Sequence, residues 1–312
     1  MRVIPFEHDT ETLGAAVVAI GVFDGVHLGH QALISATVED AVARSCAAAV
    51  VTFDRDPDQV VTPETAAPQL LTLEEKCVFI AAAGAETILV VPFDATIASM
   101  PPGTFVDTVL MRALSPVTVH VGVDFRFGHF AEGDLTSLEE LGAERGFDVV
   151  GHDLVTQGGA PVTSTRIRAL VASGNVSAAA ALLGREHRVS GRVVHGRGEG
   201  VPLLGIPTAN IAPHRFAALP AEGVYSGTVT IEGRVYPAGI SVGIPPTFPE
   251  ARDELEAHLI GFDGDLYGRE VTVAFVDRLR SQRPFDTAQE LADAIRTDID
   301  AVRVALADGD RP

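Results

Sequence analysis

The run Ala19-Ile-Gly-Val-Phe-Asp-Gly-Val-His-Leu-Gly-His30 decides how the first half of this chain reads. An apolar, strand-like segment, Ala15 to Ile20, breaks into a glycine-rich turn that carries two histidines three residues apart. Gly21 and Gly25 permit close backbone approach and unusual dihedrals. A helix beginning near His27 offers amide donors and the positive end of its dipole to phosphates. His27 and His30 share one helical face, because residues three apart are neighbours on an α-helix. Two imidazoles so placed can donate hydrogen bonds to the charge that grows on a departing pyrophosphate.

Outward from that run, short apolar segments alternate with helical ones. Ala47 to Phe53, Thr87 to Val91 and Val117 to Val121 read as Val-rich strands covered on both faces. Gln31 to Cys46 fits an amphipathic helix. Thr72-Leu-Glu-Glu75 is a capping box for a second helix, which runs to about Ala83 and stops at Gly84. Strand-helix alternation implies a parallel, Rossmann-like sheet that binds ligands beyond the carboxyl ends of its strands. The histidine motif falls at such an end, and so do Phe53-Asp-Arg-Asp-Pro57 and Val121-Gly-Val-Asp-Phe-Arg-Phe-Gly128. Thr163-Ser-Thr-Arg-Ile-Arg168 opens a further helix, where hydroxyls, amides and Arg168 make a second anion site.

After a helical bridge (Ile167 to Ala172 and Val176 to Leu183) the pattern changes. Strands follow one another without long helices: Arg188 to Val194, Val224 to Ile231, Arg234 to Val242, Leu255 to Phe262 and Val271 to Arg278. Turn signals stand at Glu232-Gly233 and Gly264-Asp265, so an antiparallel barrel or sandwich is expected. A terminal helix opens at the capping box Thr287-Ala-Gln-Glu290 and presents Leu291, Ile295, Ile299 and Val302 as its apolar stripe. The expected domains are 1–185 and 186–312.

Composition narrows the partners. A net charge of −19 opposes long phosphate backbones and anionic lipid surfaces, so neither nucleic acid nor membrane is expected, although local arginines can still hold a nucleotide. No apolar run approaches the roughly 20 residues of a membrane span. Glu7, Asp9 and Glu11 precede the first apolar strand, unlike a signal peptide, and a cytoplasmic location is expected. Cys46 and Cys77 lie in segments that read as helix and are expected to be buried, unpaired side chains. Oligomeric state is not legible.

The opening run resembles the signature of the HxGH nucleotidyltransferases. Its fuller form, G-x-F-D-G-V-H-x-G-H, is similar to the adenylyltransferase half of bacterial bifunctional riboflavin kinase/FAD synthetases. The resemblance continues in order along the chain. Asp124 and Phe125 stand in a G-x-D-F-R-F-G segment that in that family contacts nucleotide and flavin. Ser164, Thr165 and Arg168 stand in its second phosphate signature. Gly205-Ile-Pro-Thr-Ala-Asn210 resembles the G-F-P-T-A-N signature of riboflavin kinases, and Leu255-Glu-Ala-His-Leu259 carries the matching glutamate. Asp265-Leu-Tyr-Gly268 and Arg278-Leu-Arg280 also match.

The resemblance implies two reactions: riboflavin plus ATP giving FMN and ADP at the barrel, then FMN plus ATP giving FAD and pyrophosphate at the sheet. His27, His30, Arg168 and Glu256 are the catalytic candidates, Glu256 as the base for the ribityl hydroxyl. Gly21, Phe23, Asp24, Gly25, Asp124, Phe125, Ser164, Thr165, Gly205, Pro207 and Asn210 are the nucleotide or flavin candidates. Thr208 and Asn210 are the candidate ligands of a Mg²⁺ ion carried with ATP. If Pro207 leads into a strand, these two side chains project to one face.

The chain departs from the family's pattern at several places, most mildly at Ile206, which stands where G-F-P-T-A-N has Phe. Arg55 and Asp56 stand where F-D-P-H-P has its Pro-His pair. No basic residue lies between Gly198 and Gly205, and Pro245 replaces the asparagine of Asn-Pro-Thr-Phe. On sequence alone two other readings therefore stay open: a paralogue that retains only FMN adenylyl transfer, and a flavin-binding protein without turnover.

Overall fold

The computed structural model describes residues 1–7, 12, 14–195, 207–243 and 255–307, and these form two compact units, Met1–Ser164 and Thr165–Pro312. The first unit is built on six parallel strands: β1 (Arg2–Pro5), β2 (Ala16–Ile20), β3 (Ala47–Phe53), β4 (Thr87–Val91), β5 (Pro116–Gly122) and β6 (Asp148–His152). Their spatial order is β1-β4-β3-β2-β5-β6. β2 lies centrally, and all five of its residues are buried, as a strand covered on both faces requires. Helices Leu28–Arg44 and Leu73–Ala82 pack beside one another on one apolar face, where Ile34 and Ile80 are fully buried. A helical run over 102–114 supplies Val106, Val109 and Leu110 to the other face.

The periodicity reading gives the central strands β2 to β5 to within a residue at most ends, but it omits β1 and β6. Both are edge strands, and neither carries a continuous apolar run, so neither stands out by burial pattern. Thr72 caps its helix with both reciprocal bonds of the box in place: the Glu75 amide donates to Thr72 Oγ1, and the Thr72 amide donates to the Glu75 carboxylate. The cysteines need a correction. Cys77 is buried within Leu73–Ala82, but Cys46 follows the helix, beyond the left-handed cap residue Ser45, and is only half-buried. The helix ends there because Ser45 turns the chain into β3.

A short hairpin, β7 (Thr156–Gln157) and β8 (Ala160–Pro161), closes the first unit. The second unit begins within helix Ser164–Ala172, and helix Val176–Leu183 follows, ended by Gly184 in the left-handed conformation. Six strands then form a closed antiparallel barrel: β9 (His187–Val194), β10 (Ala209–Pro213), β11 (Gly223–Ile231), β12 (Arg234–Val242), β13 (Leu255–Leu259) and β14 (Glu270–Arg280). Their order around the barrel is β10-β13-β12-β11-β14-β9. Tyr225, Ile240 and Phe275 fill the interior, and Val176 of the second helix packs onto the same core.

The terminal helix Ala288–Ala307 lies against β11, β12 and β14, where Arg280 makes a two-toothed ion pair with the buried Asp298. Thr287 Oγ1 accepts from the Glu290 amide, as the capping pattern predicts. The Glu290 carboxylate, however, accepts from the Asp286 amide, one residue ahead of the cap. Among the described residues no helix is long and apolar enough to cross a membrane.

Candidate active sites

In the sheet unit, the loop after β2 is held under backbone strain. Phe23, Gly25 and Val26 all have positive φ, at 55°, 81° and 36°. Glycine tolerates this region, but a β-branched valine in it is an outlier of the kind that clusters at ligand-binding turns. Asp24 supplies part of the restraint. Its buried carboxylate accepts from the Leu70 amide at 3.0 Å and the Leu71 amide at 3.3 Å, and its carbonyl accepts from the Ser164 hydroxyl at 2.8 Å. Phe23 is also buried, with its ring edge-on to His30 at 5.1 Å between centroids. Asp24 and Phe23 thus shape the loop from inside.

His27 is the N-cap of helix Leu28–Arg44, and its Nδ1 accepts from the His30 amide at 3.3 Å. That cap fixes the tautomer: a neutral His27 with an accepting Nδ1 carries its proton on Nε2 and presents a donor there. The two imidazoles stack with centroids 3.6 Å apart and planes 17° apart. Gly29 makes the stack possible, since a Cβ at that position would stand 3.1 Å from the His27 ring. The amides of Leu28 and Gly29 open the helix at the same end and have no intrahelical carbonyl to serve. Two rings and a helix start therefore converge on the space beyond β2.

The segment after β5, the neighbour of β2 in the sheet, leaves from the same sheet end. Asp124 is exposed in a tight turn closed by the bond from the Phe125 amide to the Gly122 carbonyl, and Phe125 stacks on Phe127 at 5.4 Å. Gly21, Phe23, Asp24, Gly25, His27, His30 and Ser164 thus meet in one loop cluster, with Asp124 and Phe125 on the adjacent strand end. Thr165 and Arg168 lie on helix Ser164–Ala172, in the second unit.

The barrel holds a different constellation. Leu255, Ala257 and Leu259 point into the core, so Glu256 and His258 face outward, as strand alternation predicts. Glu256 therefore lies on the outer face rather than inside the barrel, whose interior is taken by apolar side chains. Register places Asn210 of β10 opposite Glu256 on one side and Ser241 of β12 opposite it on the other, so the three share one face. Gln282 donates to Ser241 Oγ at 3.2 Å and to the Val242 carbonyl at 2.7 Å, fixing the end of that row. Pro207 does lead into a strand, β10, and Thr208 is exposed just before it.

Asn210 Oδ1 is buried and has no hydrogen-bond partner among the described residues. An unsatisfied buried amide oxygen is one of the oxygen ligands a hard divalent cation takes from a protein when phosphates supply the rest. Gly205, the glycines of 196–200 and the departures at Val201, Pro202 and Pro245 lie outside the described residues.

Three residues to which the sequence reading gives no role stand out. His258 Nδ1 lies 2.7 Å from the Pro207 carbonyl and tethers the segment that carries Thr208. Thr52 and Lys76 both donate to the Val22 carbonyl in the histidine loop. An invisible cross-strand partner hides the first. The other two read simply as strand and helix positions.

A parallel sheet with a strained His-x-Gly-His loop, followed by a closed barrel, defines a nucleotidyltransferase-type domain joined to a flavokinase-type one. Two family models agree: FAD synthetase matches residues 9–166, and riboflavin kinase matches residues 183–306. The chain belongs to the bifunctional riboflavin kinase/FMN adenylyltransferase family. It is 37% identical over 292 residues to the bifunctional riboflavin kinase/FMN adenylyltransferase of Pseudomonas fluorescens, covering 93% of each chain. With the Bacillus subtilis (strain 168) protein of the same description it shares 32% identity over 293 residues, 92% of each. A crystal structure from Streptococcus pneumoniae described as a macrolide-efflux protein superposes with a TM-score of 0.86 at 29% identity, covering 97% of this chain and 99% of that one.

Proposed function

We propose that the protein makes FAD in two ATP-dependent steps at separate sites: riboflavin to FMN on the barrel, and FMN to FAD at the histidine loop. The observation that carries the reading is the pair of stacked imidazoles on a strained loop at a helix start, in a chain that also carries the Asn210–Glu256–Ser241 row on its barrel. Membership of a family named for both activities supports each step.

In adenylyl transfer the FMN phosphate attacks the α-phosphorus of ATP and pyrophosphate leaves. His27, with its proton on Nε2, and His30 donate to the charge that develops on the leaving phosphates, while the amides of Leu28 and Gly29 meet the same charge. Gly21 and Gly25 let the backbone approach the nucleotide, and Asp124 and Phe125 meet nucleotide and flavin from the next strand end. Ser164 stands at the same loop, and the resemblance to the family's second phosphate signature assigns Thr165 and Arg168 to anion contacts as well.

In the kinase step Glu256 accepts the proton of the ribityl 5′-hydroxyl as that oxygen attacks the γ-phosphorus of ATP. Thr208 and Asn210 offer oxygens to a Mg²⁺ ion, with Gly205 and Pro207 flanking them. When bound with ATP, the ion supplies charge screening and orientation of the phosphates. A cytoplasmic location, where ATP and riboflavin meet, follows from the reading.

The test is direct. Purified protein incubated with riboflavin, ATP and Mg²⁺ should form FMN first and FAD after it. FAD formed only from supplied FMN would leave adenylyl transfer alone, and flavin retained without either product would leave a binding protein.

A further inference from the structure

Lys76 is only 4% exposed, one turn into helix Leu73–Ala82, and a buried ammonium needs a reason. Its Nζ donates to the Phe53 carbonyl at 2.7 Å and to the Val22 carbonyl at 3.1 Å. Phe53 ends β3. Val22 lies in the histidine loop, next to Phe23 with its positive φ. β2 and β3 are neighbouring parallel strands, so one side chain ties together the two strand ends from which that loop rises.

The surroundings are arranged for a cation. Burial pushes the Lys76 ammonium below its usual pKa, and the charges of Asp56, Asp24 and Asp54 act against that. Asp56 is itself 5% exposed and stands where the family's motif usually has a histidine, so this departure puts a buried carboxylate where it supports Lys76. A second bracket runs in parallel: Asp24 of the loop grips the Leu70 and Leu71 amides just before the same helix. Thr52, fully buried on β3, adds a hydroxyl bond to the Val22 carbonyl at 3.0 Å.

Buried ionic networks seldom add net stability over an apolar replacement, and their best-supported use is to fix one geometry. What is fixed here is the backbone five residues ahead of His27. We propose that Lys76, assisted by Thr52, is a positioning residue for adenylyl transfer, holding the Val22 carbonyl so that the His27/His30 pair stands where the leaving pyrophosphate forms. The inference rests on the function proposed above for that loop.

Small displacements of catalytic groups cost rate more than binding, on the order of 100-fold for about 1 Å. Lys76→Met keeps the side chain's length and removes its donors and charge. The full-length variant should make FAD from FMN with kcat lowered about 10- to 100-fold and KM for FMN and ATP within about threefold. Its riboflavin phosphorylation should stay within about twofold of wild type, because the barrel has its own core. An unchanged kcat for FAD formation in folded Lys76→Met overturns the proposal, as does a loss confined to KM. If Met at this position prevents folding, Thr52→Val decides. A kcat loss in FAD formation alone supports the proposal, and wild-type kcat overturns it. Wild-type protein run alongside separates the two levels: if it makes no FAD from FMN and ATP, the function assigned to the loop fails, not the role of Lys76.

Discussion

His27 and His30 meet on one helical turn, stacked at 3.6 Å, whereas Glu256 meets Asn210 only because two barrel strands pair in a particular register. The first arrangement is local. Its two rings are neighbours in sequence, and long-range ties such as Asp24 to Leu70 and Lys76 to Val22 hold the backbone that carries them. The second is assembled from β10, β12 and β13, and it exists only once the barrel has closed. Sites of these two kinds should fail independently, since each stands on its own core.

The largest break in the comparison should come from Glu256→Gln, which keeps the shape of the row and removes the base. FMN formation should fall by about 10²- to 10⁴-fold while FAD is still made from supplied FMN, read by separating the flavins chromatographically. His30→Ala should do the reverse. FAD formation should drop by about 10²- to 10³-fold and FMN should accumulate, and equal loss of both activities in a folded variant would argue for one shared site.

His258→Ala offers a finer probe of the barrel. It removes one hydrogen bond to the Pro207 carbonyl, worth roughly 0.5–1.5 kcal/mol, so steady-state assays should show a two- to tenfold fall, roughly, in kinase kcat/KM and none in adenylyl transfer. An effect on FAD formation would tie the two sites together.

The smallest effect concerns the β5–β6 edge of the sheet unit. There His120 bridges His152 at 2.8 Å and Asp40 at 3.2 Å, and Asp40 also pairs with Arg44. Burial, then the neighbouring His120, pushes His152 below its usual pKa. With a folded value below the unfolded one, the unfolded chain takes up the proton first, so stability falls as pH drops below about 6.5. Thermal melts from pH 7 to pH 5 should show a shallower decline for His152→Asn than for wild type, and parallel declines would contradict the assignment. Activity at pH 7.5 should be unmoved.

The same contrast explains what could be read from the chain. The histidine loop was legible because its signature is contiguous and sits between an apolar run and a helix start. Helix Leu73–Ala82 announced itself through Thr72 and Glu75, and Gly84 marked its end. The edge strands β1 and β6 were not legible, for they lack the continuous apolar run that marks the inner strands. The face of Glu256 followed from alternation with Leu255 and Ala257, but its neighbours Asn210 and Ser241 required register, which no local pattern supplies. Lys76 was hidden for a further reason: a lysine in L-E-E-K reads as a solvated helix position, and only the tertiary fold shows that it points at two strand ends.

Separate sites joined by a free intermediate are the central claim, and one mixing experiment tests it. His30→Ala and Glu256→Gln proteins are each given riboflavin, ATP and Mg²⁺ alone, and then together in one tube. Neither alone should yield more than trace FAD, but the mixture should convert riboflavin to FAD, because FMN released by the first variant is adenylylated by the second. A mixture that makes no more FAD than its separate components, although each variant keeps its remaining half-reaction, would contradict the account.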